Sequence, residues 1–394
     1  MTAETPPEIT PQAKWSWSDL WKKEDWWAIW LGIILLGSVF CGAVSKVPKM
    51  AKWSWGNFGD ILPMDVFGKI ALLAVGFCVI YSLAMYVLEP GKTRKYIPAF
   101  FVIFLLAMLA NAFAGEATVK SYGIGYAFWA LGIGLLISNT YGTPDWLKHG
   151  ARTEFYIKTG LVILGAEIIF SSIQKFGLYG LAIAWGVTPV VIIFMWFFGT
   201  HILKMTNKPL IITVATATSV CGVSAAIAAA ASSRAKKEDL TIAVGMSLLF
   251  TVIMMITMPI FIKMVGMPEV LGGAWMGGTI DATGAVVLAG ETLGKQAEAV
   301  AAIVKMIQNI LIGVVAFFIA LYWVTVVERD PNAPRPGLSE IWLRFPKFIL
   351  GFVAASILVS YVAIPLMEED TVRGLLKQTK NYRGWLFCMA FISI

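Results

Sequence analysis

Charge is scarce in this chain. Of its 394 residues only 14% are Asp, Glu, Lys or Arg, whereas 58% are hydrophobic and mean hydropathy is +0.76. A soluble domain with so few charges would precipitate, so the composition excludes one and requires an integral membrane protein. Cysteine is also sparse. Cys41, Cys78, Cys221 and Cys388 each lie inside an apolar block without C-x-x-C spacing, which excludes a disulfide framework and a zinc site. The two histidines, His149 and His201, stand at segment ends beside Lys148 and Thr200 and are read as interfacial, without chemistry. A cleavable leader is lacking too, because residues 1–25 are polar and the first apolar stretch is long enough to stay in the membrane. Gly-Lys-Thr in "EPGKTRK", 89–95, is a fragment of a phosphate-binding loop. It lacks the earlier glycine such a loop needs; Tyr86 stands there. With no extramembrane domain to hold a nucleotide, transport driven by this chain's own ATP hydrolysis is excluded. No enzyme activity, catalytic residue, metal or cofactor is expected.

What is present is apolar sequence in blocks of about 20 residues, the length of an α-helical crossing of ~30 Å of hydrocarbon. The period-two pattern of an outer-membrane barrel is missing. The fold class is therefore all-α and polytopic, with segments at roughly 26–45, 68–88, 96–115, 122–141, 156–173, 177–203, 209–232, 239–262, 270–290, 297–327 and 344–366. A last segment begins near Gly384 and stops at Ile394, a stretch of about 11 residues where ~20 are needed. That length predicts a C-terminal helix cut short. The net charge of +7 resides in connections beside aromatic residues, which reads as anchoring to the bilayer surface and excludes a nucleic-acid partner. Lys and Arg total similarly on alternate connections, so the positive-inside bias does not choose an orientation. Residues 1–25, with "KWSWSDLWKKEDWW", form a polar, interfacial segment; 26–115 supply N-terminal helices; 328–343 read as an exposed Pro-rich linker.

Two membrane-length segments differ from the others in one way. "TATSVCGVSAAIAAAASS", 216–233, and "GGAWMGGTIDATGAVVLAG", 272–290, concentrate Gly, Ala, Ser and Thr where a bilayer helix carries Leu, Ile and Phe. Small residues let helices approach closely, and the alanine run needs no further reason. Packing alone does not require Thr218, Ser219 and Ser224, nor Thr279, Asp281 and Thr283. Asp281 costs several kcal/mol at membrane depth unless paired, protonated or hydrated. Gly222 and Gly278 beside hydroxyls permit unwound backbone lining a cavity. Paired broken helices of this kind, one from each half of an inverted repeat, aim half-helix N-termini at anions in secondary transporters. The expectation is two discontinuous crossing helices within about 11–12 transmembrane segments. A third element, 297–327, carries Lys305, Gln308 and Asn309 at i, i+3 and i+4, with Glu298 two turns earlier on the same stripe. Asp281 and Lys305 then form the natural buried ion pair. Glu167 and Asn139 are the other polar intruders; Glu167 could reach the interface, Asn139 in "NTYG" reads as a helix C-terminal residue, and either could face the cavity.

The order of "ALGIGLLISNTYG", "GLVILGAEIIFSSI", "TATSVCGVSAAIAAAASSRAKKED" and "GGTIDATGAVVLAG" with "AAIVKMIQN" resembles the YeiH-type family of bacterial membrane proteins, labelled putative sulfate exporters, over 120–394. The Cys-Gly-x-Ser-Ala signature is Cys221–Ala225. The resemblance implies a transporter core similar in fold to cation/proton antiporters and bile-acid-type symporters, with a further helix after Ile394. It places Ser219, Cys221, Gly222 and Ser224 on the signature, Asn139 on the "GN" element and Lys305 on the Lys-Met pair. Where members carry His-Glu this chain has Asp281-Ala282, and where they often carry Arg it has Glu167.

Together these readings give a secondary transporter of the bacterial inner membrane, exporting sulfate or a related small sulfur oxyanion or sulfonate, coupled to H⁺ or Na⁺. Thr218, Ser219, Cys221, Gly222, Ser224, Gly278, Thr279, Thr283, Lys305, Gln308 and Asn309 are the substrate-site candidates. Asp281, Glu167 and Asn139 are the coupling-ion candidates. The partners are the lipid bilayer and a small anion, and the chain is compatible with a homodimer. Competing readings are a cation/proton antiporter, the sodium-pumping membrane subunit of a decarboxylase-like complex, and a channel or scaffold.

Overall fold

A computed structural model describes residues 16–54, 61, 63–121, 125–168, 170–327, 342 and 345–393. The expected linker 328–343 lies outside the described residues apart from Trp342, as does 1–15 of the polar N-terminal segment. Every regular element among the described residues is helical, as the uninterrupted apolar runs require in a bilayer. The principal helices are α1 Glu24–Phe40, α2 Met64–Leu88, α3 Thr93–Gly115, α4 Tyr126–Thr140, α5 Thr153–Glu167, α6 Phe170–Ile202, α7 Lys208–Ser219, α8 Val223–Ser232, α9 Lys237–Met264, α10 Glu269–Thr279, α11 Thr283–Leu293, α12 Lys295–Val327, α13 Phe348–Leu366 and α14 Glu369–Ile392. Six of these, α2, α3, α6, α9, α12 and α13, are long and apolar enough to cross a membrane. The protein is an all-α, multi-pass membrane protein.

The helices form two compact units, residues 16–170 with 347–393, and residues 171–346. In the first, α5 is buried over most of its length, with α1, α13 and α14 packed on it. Its glycines make that approach close. Gly160 faces the ring of Phe387, Gly165 lies against the Phe352 carbonyl, and Gly32 of α1 faces Val162. Tyr81, Tyr96 and Tyr156 are fully buried, with the Tyr96 and Tyr156 hydroxyls 3.0 Å apart. Ion pairs tie these elements together. Lys158 bonds Glu24 and Asp25 at 3.0 and 2.9 Å, and Arg152 grips Glu89 through both guanidinium nitrogens at 2.6 and 2.9 Å. α14 corrects the sequence reading of the C-terminal segment. It starts at Glu369, well before Gly384, because the polar run 369–383 is itself helical.

The second unit holds three long helices, α6, α9 and α12, and the two weak segments. Each weak segment is interrupted where expected, at Val220–Gly222 and Ile280–Ala282. Neither crosses. Ala217 of α7 packs with Ala226 of α8, which a collinear pair of half-helices would hold far apart. Asn207, ahead of α7, donates to Asp239 in the first turn of α9 at 2.7 Å, so the chain enters and leaves on one side. In the second segment Gly294 lies against the Glu269 carboxylate, Gln296 donates its backbone N–H to Glu269, and Gly272 faces Leu293. α7–α8 and α10–α11 are therefore re-entrant helical hairpins. The long α9, about 42 Å at 1.5 Å per residue, runs from the base of the first hairpin to that of the second, where Ile262 meets Gly272 and Lys263 donates to Thr292 at 2.8 Å. A hairpin followed by a span occurs twice, with opposite sense. The inverted repeat thus takes the form of hairpins rather than crossing helices.

Candidate functional site

The tips of the two hairpins meet. Gly222 closes the first tip at φ +69° and ψ −117°, a conformation that favours glycine, and its N–H bonds back to Ala217 O at 2.9 Å. A Cβ on Gly222 would stand 3.5 Å from the Asp281 Cβ of the second tip and 2.8 Å from Ser247 Oγ of α9. The absence of a side chain here is what lets the first tip lie this close to α9.

One face of α12 stitches the tips together. Lys305, buried, donates to Val220 O at 2.6 Å and to Gln308 Oε1 at 2.7 Å. Gln308 Nε2 reaches Ser219 O at 2.9 Å, Gly278 O at 3.2 Å and Thr188 Oγ1 at 3.1 Å. Asn309 Nδ2 donates to Thr283 Oγ1 at 3.0 Å. The i, i+3, i+4 stripe read from the sequence therefore does face the two breaks. The carbonyls that α7 exposes at its C-terminus carry partial negative charge, and the ammonium and amide satisfy them. On the other side, α8 and α11 begin at Gly222 and Ala282 without a side-chain cap, so their first-turn N–H groups point into the junction with positive dipole ends.

Asp281 and Lys305 do not form the expected ion pair. The Asp281 carboxylate accepts from Ser247 Oγ at 2.8 Å, and the Lys305 ammonium is turned to Val220 O instead. A backbone carbonyl at the end of a half-helix outcompetes the carboxylate because nothing else satisfies it at that depth. Thr218 also departs from the expectation: its hydroxyl bonds Val214 O one turn back and faces Met195, committed to its own helix. Ser219 is the opposite case. Its Oγ is buried without a partner, as is Asn309 Oδ1, with residue exposures of 7% and 2%. Cys221, Ser224, Thr279 and Thr283 are half-buried around the tips.

Glu167 and Asn139 belong to the other unit. Glu167, at the end of α5, accepts two hydrogen bonds from the fully buried Arg383 of α14 at 3.0 and 2.9 Å. Asn139 is exposed and donates to Leu135 O at 2.7 Å, in keeping with a helix C-terminus. Two participants escaped the sequence reading. Ser247 sits on an apolar span, and with Thr251 one turn on it reads as a helix-packing hydroxyl. Thr188 follows a π-helical stretch, Ala182–Val187, in α6, which no local pattern announces. Among the described residues no cluster of three His, Cys, Asp or Glu side chains could hold a metal ion.

Comparison with known proteins agrees with this membrane architecture. The family model "Conserved hypothetical protein 698" matches residues 89–394. A UPF0324 membrane protein of Rhodopirellula baltica is 56% identical over 307 residues, 77% of this chain and 56% of its own. One of Nitratidesulfovibrio vulgaris is 50% identical over 338 residues, 84% of this chain and 58% of its own. The chain thus spans little more than half the length of these curated relatives. Against a relative in Nitrosomonas europaea, 28% identical, coverage is 97% of this chain and 89% of the other. No solved structure matches. With the family model covering more than half of the chain and relatives this similar, the chain belongs to the UPF0324 family of membrane proteins.

Proposed function

We propose that this protein is a secondary active transporter of the bacterial inner membrane, carrying sulfate or a related small sulfur oxyanion or sulfonate outward, coupled to H⁺ or Na⁺ at Asp281. The observation that carries the reading is the junction of two oppositely directed hairpins. Two uncapped helix N-termini converge there beside the unpartnered, buried Ser219 hydroxyl. Convergent N–H groups and a free hydroxyl are donors for oxyanion oxygens, and burial strengthens each bond. Lys305 contributes positive charge from behind the first tip rather than as a direct anion ligand.

The test is oxyanion-dependent thermal stabilisation of the purified chain, screening sulfate, sulfite, thiosulfate, taurine and sulfoacetate. Ser219→Ala weakens binding by about 1–3 kcal/mol, the value of a hydrogen bond to a charged group. Thr257→Ala, on an exposed hydroxyl bonded within its own helix, leaves it unchanged. Equal stabilisation of parent and Ser219→Ala refutes the anion site.

A second reading, a cation/proton antiporter without an anion, is favoured by one observation only: the buried Asp281 carboxylate at the second tip. It predicts cation-dependent stabilisation with no response to any oxyanion.

A further inference from the structure

The two hairpin tips are built alike but are not satisfied alike. At the first, the carbonyls freed by the break meet protein donors: Lys305 takes Val220 O and Gln308 takes Ser219 O. The second receives a single such donor, from Gln308 to Gly278 O. Among the described residues, the Ile280 and Asp281 carbonyls accept no hydrogen bond, although Ile280 is fully buried and Asp281 is 2% exposed. On α9, Ser247 stands at this tip much as Lys305 of α12 stands at the other. It brings a hydroxyl where Lys305 brings a charge, and that hydroxyl is spent on one oxygen of Asp281.

What remains around the second tip is a set of oxygens: the other carboxylate oxygen of Asp281, the two freed carbonyls and Asn309 Oδ1. Asn309 is tied to this tip through Thr283, and its oxygen is buried without a partner. The dipole of α10 ends here with its negative pole, next to a carboxylate. Carboxylate, carbonyl and amide oxygens are the ligands of a hard cation.

We propose that the second tip is a binding site for a small monovalent cation, Na⁺, held by Asp281, Asn309 Oδ1 and the carbonyls of residues 280 and 281. This deepens the transporter reading and rests on it for its coupling role. Lys305 and Asp281 cancel as fixed charges, so an anion entering the junction needs a counter-charge, and Na⁺ at the second tip supplies it. The cation and the oxyanion accordingly bind together, each tightening the other.

The experiment is thermal unfolding of the full chain in detergent in NaCl, KCl or choline chloride at one ionic strength, without oxyanion and then with sulfate. Na⁺ alone raises the midpoint saturably by several degrees, and K⁺ and choline do not. Asp281→Asn, which keeps the Ser247 acceptor, and Asn309→Ala each shift the half-saturating Na⁺ concentration at least tenfold upward. Identical midpoints of the parent protein in the three salts overturn the site, a result that depends on no variant folding. So does a Na⁺ response undiminished in both variants. Stabilisation by sulfate in choline with no Na⁺ response removes the cation site and leaves the anion reading standing. A Na⁺ response lost in the variants, with no oxyanion effect, supports the site and removes the anion reading.

Discussion

Gly222→Ala tests the contact between the tips most directly. The residue's φ of +69° with ψ −117° lies in a region that L side chains rarely adopt, at a cost of about 1–3 kcal/mol. The new methyl group would stand 2.8 Å from Ser247 Oγ, too close for carbon and oxygen. Ser247 can yield only by rotating, which breaks its 2.8 Å bond to Asp281 and forfeits a hydrogen bond to a charged group, about 1.5–3 kcal/mol. The sum is a destabilisation of roughly 2.5–6 kcal/mol. The assay is equilibrium unfolding in detergent micelles, with the same substitution repeated in a Ser247→Ala background. There the steric part vanishes and only the backbone part, ~1–3 kcal/mol, remains. A cost below about 1 kcal/mol, or one that is the same in both backgrounds, refutes the claim that Gly222 and Ser247 are in contact at a tight turn.

Further outcomes follow from other contacts. Lys305→Met leaves Val220 O and Gln308 Oε1 buried without donors and destabilises by about 2–5 kcal/mol; unchanged unfolding would mean that the lysine does not cap the first tip. Asn207→Ala removes the acceptor for Leu210 N–H and the donor to Asp239 that closes the base of the first hairpin, about 1–2 kcal/mol by the same assay. Arg383→Met strands the Glu167 carboxylate in the other unit and costs roughly 3–5 kcal/mol, largely relieved by adding Glu167→Gln. The pH dependence has a defined sign. Hydrogen bonds from Arg152, aided by Lys92 and opposed by burial, hold Glu89 down to about 2 from an ordinary 4.5 in the connection between α2 and α3. Its contribution is fully present above pH 4.5 and is lost as the pH falls from there through about 2. Arg152→Gln flattens that acid limb, and an unaltered acid limb would show that the pair contributes nothing.

The positions of both breaks were legible in the sequence because they have local causes. Gly222 needs its positive φ, and Thr, Ser and Asp at membrane depth need a cavity. The reversal of direction was not legible. A turn between collinear half-helices and one that doubles back use the same few residues; what separates them is the packing of Ala217 on Ala226 and of Asn207 on Asp239, contacts between distant residues. At 24 residues, the span 209–232 also had the length of a crossing, which made the wrong topology the natural one. The stripe Lys305–Gln308–Asn309 was readable from helical periodicity, but its partners were not. A lysine near an aspartate suggests a pair until the competing carbonyl of Val220 is in view. The start of the last helix was misplaced for a simpler reason: residues 369–383 are polar, and hydropathy alone treats an amphipathic helix as a connection.

The short arms of the hairpins carry a consequence for assembly. With 12 and 10 residues in one hairpin and 11 and 11 in the other, no arm reaches the ~20 apolar residues that commit a segment to the bilayer by itself. The spans α9 and α12 meet that requirement. The arms therefore depend on these spans, because a short hairpin is held at membrane depth only where neighbouring helices wall the slot it occupies. Asp281 sits between two such arms, whereas Lys305 and Gln308 sit on α12, a span in its own right. Docking of the hairpins is what brings the carbonyls of the first tip to Lys305 and Gln308 and the Asp281 carboxylate to Ser247, so the polar face of α12 is satisfied only in the assembled unit.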